Sequence, residues 1–193
     1  MEITLDLNRQ YTYADYLTWI DDVRRELIEG FVKLLPAPRS IHVEVSHSIS
    51  WHLETIIRNN KCRCKVYPAP FDVRLPKNGE TDHDKIYTVV QPDISVICDL
   101  AKVDENGCCG APDMIVEVLS PSTHKRDMNE KYTLYEKSGV REYWVVFPKD
   151  KCIQTFILQE NGKYHDGTLY ETKGKVPVHI FDGYMIDMED IFK

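Results

Sequence analysis

An α/β domain with a mixed central sheet, covered by helices on both faces and extended by β-hairpins, is what this sequence predicts, on three observations. Segments 89–98, 113–119 and 142–147 carry continuous apolar runs, the mark of strands buried on both faces. Helix-length segments are interspersed with them, the longest carrying an apolar stripe of Ile41, Val45, Ile49, Leu53 and Ile56. A chain of 193 residues, 42% of them hydrophobic, can bury one sizeable core, so residues 1–193 are expected to form a single domain.

Each element has its local reason. Thr12-Tyr-Ala-Asp15 has the pattern of a capping box with aspartate in the glutamate position, opening a short helix through residue 22. Residues 26–35 have β character around Gly30 and stop at Pro36-Ala-Pro38, which reads as a tight hairpin with Glu26 on the face of Ile28. Ser40 is expected to cap the striped helix. His42, His47 and His52 recur every five residues, which spreads them around that helix and excludes a single metal-binding stripe. His42 reads first as a hydrogen-bonded structural histidine and second as a residue at the mouth of a site.

Strand-like segments 64–67 and 71–75 precede a polar loop at 76–85. Asp93 stands at the entrance of the next buried strand, and the Gly-flanked loop Asn106-Gly-Cys-Cys-Gly110 separates it from the strand bearing Glu117. The turn Ser120-Pro-Ser-Thr123 leads into a helix that ends at Ser138-Gly139, a common C-cap arrangement. Beyond the strand at 142–147, short β runs alternate with turns such as Glu160-Asn-Gly162 and are expected to extend a sheet edge or form a hairpin layer.

The N-terminus mixes acids with isolated apolar residues and lacks a signal-peptide core, and no segment has the length of a membrane span, so a cytoplasmic protein is expected. None of the six cysteines forms a Cys-x-x-Cys pair; Cys62, Cys64, Cys108 and Cys109 leave a composite metal site conceivable, but reduced thiols are the expectation. The net charge of -7 argues against a generally adhesive nucleic-acid binder, yet small basic clusters at Arg24-Arg25, Lys61/Arg63/Lys65 and His124-Lys125-Arg126 remain.

Chemistry gathers around Glu117. Its neighbours Ile115, Val116, Val118 and Leu119 make an isolated charge there costly, so the carboxylate should be protonated, paired with a cation or bound to a metal. Asp127, Lys131 and Tyr135 follow at four-residue steps along one helical face, which offers a cation. Asp93 opens a neighbouring strand and Glu26 lies on the hairpin. Two carboxylates on adjacent strands can hold a hard divalent cation, and a nearby lysine can orient a water, an inventory that suits phosphodiester hydrolysis.

Plainer readings stand beside these. Asp93 after Pro92 can be a turn acceptor, and Asp113 competes with it for a ligand role or caps the strand. Asp127 and Lys131 can form an ordinary surface pair, Glu26 can pair with Arg24 or Arg25, and Tyr135 and Trp144 read as core aromatics. For Glu117 alone, function outweighs a structural role.

The chain resembles the Uma-type restriction endonuclease family, a branch of the PD-(D/E)xK nuclease superfamily. The resemblance rests on Glu26-Leu-Ile-Glu-Gly30, His42 after a Pro-rich turn, Pro92-Asp93-Ile-Ser-Val, Gly110-Ala-Pro-Asp-Met-Ile-Val-Glu117-Val-Leu-Ser-Pro-Ser-Thr123, Asp127 and Lys131, and Gly139-Val-Arg-Glu-Tyr-Trp144-Val-Val. It implies a restriction-endonuclease-like fold, a Mg2+-dependent nuclease site, with Mn2+ as the alternative ion, and often a homodimer; DNA is the expected substrate, with RNA left open. Carried over by position, Asp93 and Glu117 match the metal-binding acids and Glu26 an early acidic position, which the resemblance makes a catalytic residue, as a second metal contact or an orienting base. Leu119 occupies the place of the superfamily lysine, whose function would pass to Lys131, and Phe147 replaces an expected aspartate. These two departures, with the acidic charge, motivate the alternative of a catalytically degenerate interaction module. A serine hydrolase using Ser120 or Ser122 is disfavoured, since the chain has no Gly-x-Ser-x-Gly elbow.

Overall fold

The computed structural model describes residues 3–119 and 126–193, for 126–128 the backbone alone; the expected turn at 120–123 and the side chain of Asp127 lie outside the described residues. In chain order the elements are α1 (Tyr13–Tyr16), β1 (Arg25–Ile28), β2 (Phe31–Leu34), α2 (Ser40–Asn60), β3 (Lys65–Pro68), β4 (Val73–Arg74) and β5 (Val89–Val90). There follow β6 (Ile94–Ile97), β7 (Val103–Asp104), β8 (Gly107–Cys109), β9 (Met114–Val118), α3 (Arg126–Ser138), β10 (Glu142–Phe147) and β11 (Cys152–Ile157). The chain closes with β12 (Thr168–Glu171), β13 (Lys175–Pro177), β14 (Met185–Asp187) and α4 (Met188–Ile191). Contacts group these into two units, Met1–Ala37 with Pro70–Gln91 and Ala101–Ala111, and Pro38–Ala69 with Pro92–Leu100 and Pro112–Lys193. No helix among the described residues is long and apolar enough to cross a membrane.

The first unit is a six-stranded sheet in the order β2-β1-β5-β4-β8-β7, with Tyr13, Leu27, Val32, Ile86 and Val89 in its core. In the first hairpin Ile28 pairs with Phe31, so Glu29 and Gly30 alone make the turn, and both have positive φ, 51° and 87°, as a type I′ turn requires. A Cβ at Gly30 would also come within 3.2 Å of the Tyr11 carbonyl oxygen. The Thr12–Asp15 capping box forms, but α1 is only four residues long. Leu17 and Ile20 beyond it are exposed, so no apolar face exists to carry the helix to residue 22.

The second unit holds a six-stranded sheet in the order β12-β11-β10-β9-β6-β3, in which β9 and β10 are parallel and the other pairs antiparallel. Parallel neighbours need a crossover, and α3 supplies it. Alternation divides the sheet's side chains between two faces. Ile94, Val96, Met114, Val116, Val118, Trp144 and Val146 share a core with Val45, Ile49, Leu53 and Ile56 of α2 and with Val176, Ile186 and Ile191 from the C-terminal segment. On the other face α3 docks through aromatic rings, Tyr135 on Tyr143 at 5.0 Å and Tyr132 on Phe156 at 5.0 Å and on Tyr164 at 5.3 Å between centroids. Here the C-terminal β runs extend the sheet edge through β11 and β12 and add the β13–β14 hairpin. Arg39 rather than Ser40 is the N-cap of α2, and no side chain bonds to close that helix start.

Cys64 and Cys98 are joined by a disulfide, in place of the reduced thiols the sequence suggested. Lys65 pairs with Ile97, so these two cysteines fall opposite each other one step beyond the β3–β6 ladder, a proximity that sequence separation conceals.

Glu142 is fully buried at the start of β10. Its carboxylate accepts hydrogen bonds from the Trp144 indole at 2.7 Å and from the backbone N–H groups of Ile180 at 2.8 Å and His179 at 3.1 Å. Burial pushes its pKa above the usual carboxylate value, while these donors pull the other way. The acid thereby pins the segment after β13 to the sheet. Glu142→Ala is expected to cost about 2 kcal/mol in denaturant unfolding, because the buried Trp144 N–H is orphaned at about 1–3 kcal/mol while the N–H groups of the half-buried Ile180 and the exposed His179 can turn to water, and a loss below about 1 kcal/mol would show that the indole finds another partner.

Candidate active site

The first acid of the site is placed by strand register. β6 runs antiparallel to β9 with Ile94 opposite Val116, so Asp93, one residue before the ladder, falls beside Glu117. The backbone confirms the approach: the Val118 N–H donates to Asp93 Oδ2 at 2.7 Å, taking the bond a further ladder residue would have made. His42, in the first turn of α2, meets the other carboxylate oxygen, Nε2 to Oδ1 at 2.8 Å. Both side chains keep some exposure, 19% for His42 and 17% for Asp93.

Glu117 lies near the C-terminal end of β9, an inner strand of the sheet, with Val145 of β10 opposite. It faces α3, where Lys131 Nζ lies 2.8 Å from Oε1 and the buried Tyr135 hydroxyl donates to the same oxygen at 2.6 Å. The four-residue step from Lys131 to Tyr135 is one helical turn, which is why both donors reach one oxygen. Lys131 and Glu117 side chains are 13% and 11% exposed, so the pair is largely, though not wholly, withdrawn from water. Beneath them, the buried Tyr143 phenol has a pKa well above normal, chiefly from burial, with the charges of Glu117 and Asp93 raising it and that of Lys131 lowering it. Tyr143 thus stays neutral beneath the three charged groups.

Asp113 lies at the other end of β9, roughly 13 Å along the strand from Glu117 at about 3.3 Å per residue. Its Oδ2 accepts the Cys98 N–H at 2.8 Å and its Oδ1 pairs with Arg141 at 3.1 Å, so it caps the strands there. Glu26 belongs to the first unit, buried on β1, where it accepts the Gln91 N–H at 2.8 Å. Its charge raises the pKa of Asp72 in that unit, behind the larger effect of burial. Tyr16 and Gln91 both donate to Asp72, at 3.2 and 2.8 Å.

The two departures from the superfamily pattern turn out to be neighbours. Val146 pairs with Val118 and accepts the Leu119 N–H at 2.9 Å, so the parallel register brings Phe147 beside Leu119 one step further on, at the end of the sheet that carries Glu117. Leu119 and Phe147 therefore form an apolar pair beside the acids. Sequence reasoning undervalued two residues, His42 and Tyr135. The signal available for Tyr135 was its turn spacing from Lys131; for His42 it was its place early on α2, after a Pro-rich turn.

Two carboxylates from adjacent strands are hard oxygen donors; each Asp93 oxygen accepts one of the hydrogen bonds above and keeps a further lone pair, while on Glu117 both Lys131 and Tyr135 donate to Oε1. That donor set suits a divalent cation that retains most of its coordination as water, such as Mg2+. Among the described residues no group of three or more His, Cys, Asp or Glu could hold a metal, which disfavours a closed zinc-type centre there.

A mixed sheet with helices on both faces, two acids side by side at one end and a lysine reaching in from the crossover helix define a restriction-endonuclease-like α/β protein. The family model Uma2, described as "Putative restriction endonuclease", matches residues 13–189, and the chain belongs to that family. The fold is shared with a crystal structure described as a putative nuclease belonging to DUF820 from Anabaena variabilis ATCC 29413, at a TM-score of 0.74 and 18% identity, over 94% of this chain and 97% of that one. No curated protein matches.

Proposed function

We propose that this chain is a divalent-metal-dependent nuclease that hydrolyses phosphodiester bonds in DNA. The observation that carries the reading is the convergence on one sheet end of Asp93, Glu117 and Lys131, with Lys131 2.8 Å from Glu117. Asp93 and Glu117 would hold Mg2+, or Mn2+ in its place. The bound ion would polarise a phosphoryl oxygen and neutralise the charge that builds on it. Lys131 is the cation placed to orient the attacking water, the work the superfamily lysine would do from position 119. Tyr135 keeps Glu117 fixed while Lys131 does so. Glu26 has its own partners in the first unit and is assigned no step. The family resemblance also supports residues 1–193 acting as one functional domain, in a homodimer.

A second reading, a nuclease-fold interaction module without catalysis, is favoured by the closed Lys131–Glu117 pair and the apolar Leu119 and Phe147. Incubating the purified protein with plasmid DNA separates the two. Nicking or linearisation in Mg2+ or Mn2+, abolished by EDTA and restored by added metal, is expected; intact plasmid with either ion would favour the interaction module.

A further inference from the structure

We infer that His42 is a positioning residue, holding the Asp93 carboxylate in the orientation in which it meets the metal; the inference rests on the nuclease reading above. His42 lies on the face of α2 that carries Val45 and Ile49, one turn before the buried stripe begins, so the helix aims its ring at the end of the sheet. There its Nε2 lies 2.8 Å from Asp93 Oδ1, 51 residues away in sequence.

The partner fixes the ring's chemistry. An ionised carboxylate only accepts, so Nε2 must carry the proton, and it donates whether the imidazole is neutral or charged. A nitrogen committed to donating cannot ligate a metal at the same time, and His42, Asp93 and Glu117 do not form a three-ligand group. The carboxylate is then held at both oxygens, Oδ1 by His42 and Oδ2 by the Val118 N–H of the strand that bears Glu117. Its rotation about the Cβ–Cγ bond is stopped, and the remaining lone pairs have fixed directions relative to Glu117. Groups that orient metal-binding side chains in this way typically account for about 10- to 100-fold in metal affinity.

The test is a Mn2+ titration of the full chain, free aquo-Mn2+ being read by electron paramagnetic resonance, alongside metal-free thermal melting. His42→Ala is expected to weaken Mn2+ binding by about 10- to 100-fold. His42→Gln, whose amide nitrogen can donate from nearly the same place, is expected to recover most of it; without metal, His42→Ala is expected to melt a few degrees below wild type and His42→Gln close to it. The KM for metal should rise in His42→Ala with kcat at saturating metal largely retained. Unchanged Mn2+ affinity in His42→Ala, or a Gln variant no better than Ala, overturns the inference while leaving the nuclease reading in place. Wild type that leaves Mn2+ free at millimolar concentration overturns the metal reading itself, and this inference with it.

Discussion

Glu117→Gln is expected to lower divalent-dependent DNA cleavage by about a thousandfold, equivalent to about 4 kcal/mol of lost transition-state stabilisation. The amide has the size and shape of the acid, and its oxygen can still accept from Lys131 and Tyr135, which now donate to Glu117 Oε1 at 2.8 and 2.6 Å. Folding should therefore survive, with a melting temperature within a few degrees of wild type. What disappears is the negative charge that a hard cation requires. Initial cleavage rates across a Mg2+ titration, with circular dichroism to check the fold, decide it; full activity in this variant would remove Glu117 from the metal site.

Lys131→Met should have the second largest effect, and on two observables at once. Cleavage is expected to fall by about a hundredfold or more, the usual contribution of a positioned group that manages the attacking water and its proton. Stability is expected to fall by about 2 kcal/mol, because Glu117 loses a charge-assisted hydrogen bond and keeps its own desolvation cost, eased by the remaining Tyr135 bond and the residual exposure of the pair. Combining Lys131→Met with Glu117→Gln removes both charges, so stability should return most of the way while cleavage stays lost. A double variant as unstable as the single one would show that the ion pair is not the source of the cost. A single variant that cleaves at the wild-type rate would leave the water without its proposed cation.

Much of this arrangement is legible in the residues alone, because it depends on local rules. The Gly30 hairpin follows from β character around a glycine, the α2 stripe from helical period, and β9 from a continuous apolar run. The pairing of Glu117 with a cation follows from the energetic cost of burying an acid, and Lys131 with Tyr135 from one turn of helix. Features that depend on strand register were not legible. His42 meets Asp93, and Cys64 meets Cys98, only because β3, β6 and β9 align as they do. Asp113 and Asp93 are equivalent in sequence, each following a proline before an apolar run, and register alone puts one beside Glu117 and the other at the far end of β9. Leu119 and Phe147, read separately in the sequence, become neighbours once β9 and β10 are seen to run parallel. The division into two six-stranded sheets was likewise hidden, since short strands such as β4 and β5 carry too few residues for a periodic signal.

Crystals of the protein soaked in Mn2+ and measured at the manganese absorption edge give the most direct test. The nuclease reading predicts an anomalous peak bridging the carboxylates of Asp93 and Glu117, with Lys131 still in contact with Glu117 or turned toward the ion's water shell. Well-diffracting soaked crystals with no peak there, and the Lys131–Glu117 pair unchanged, would contradict it.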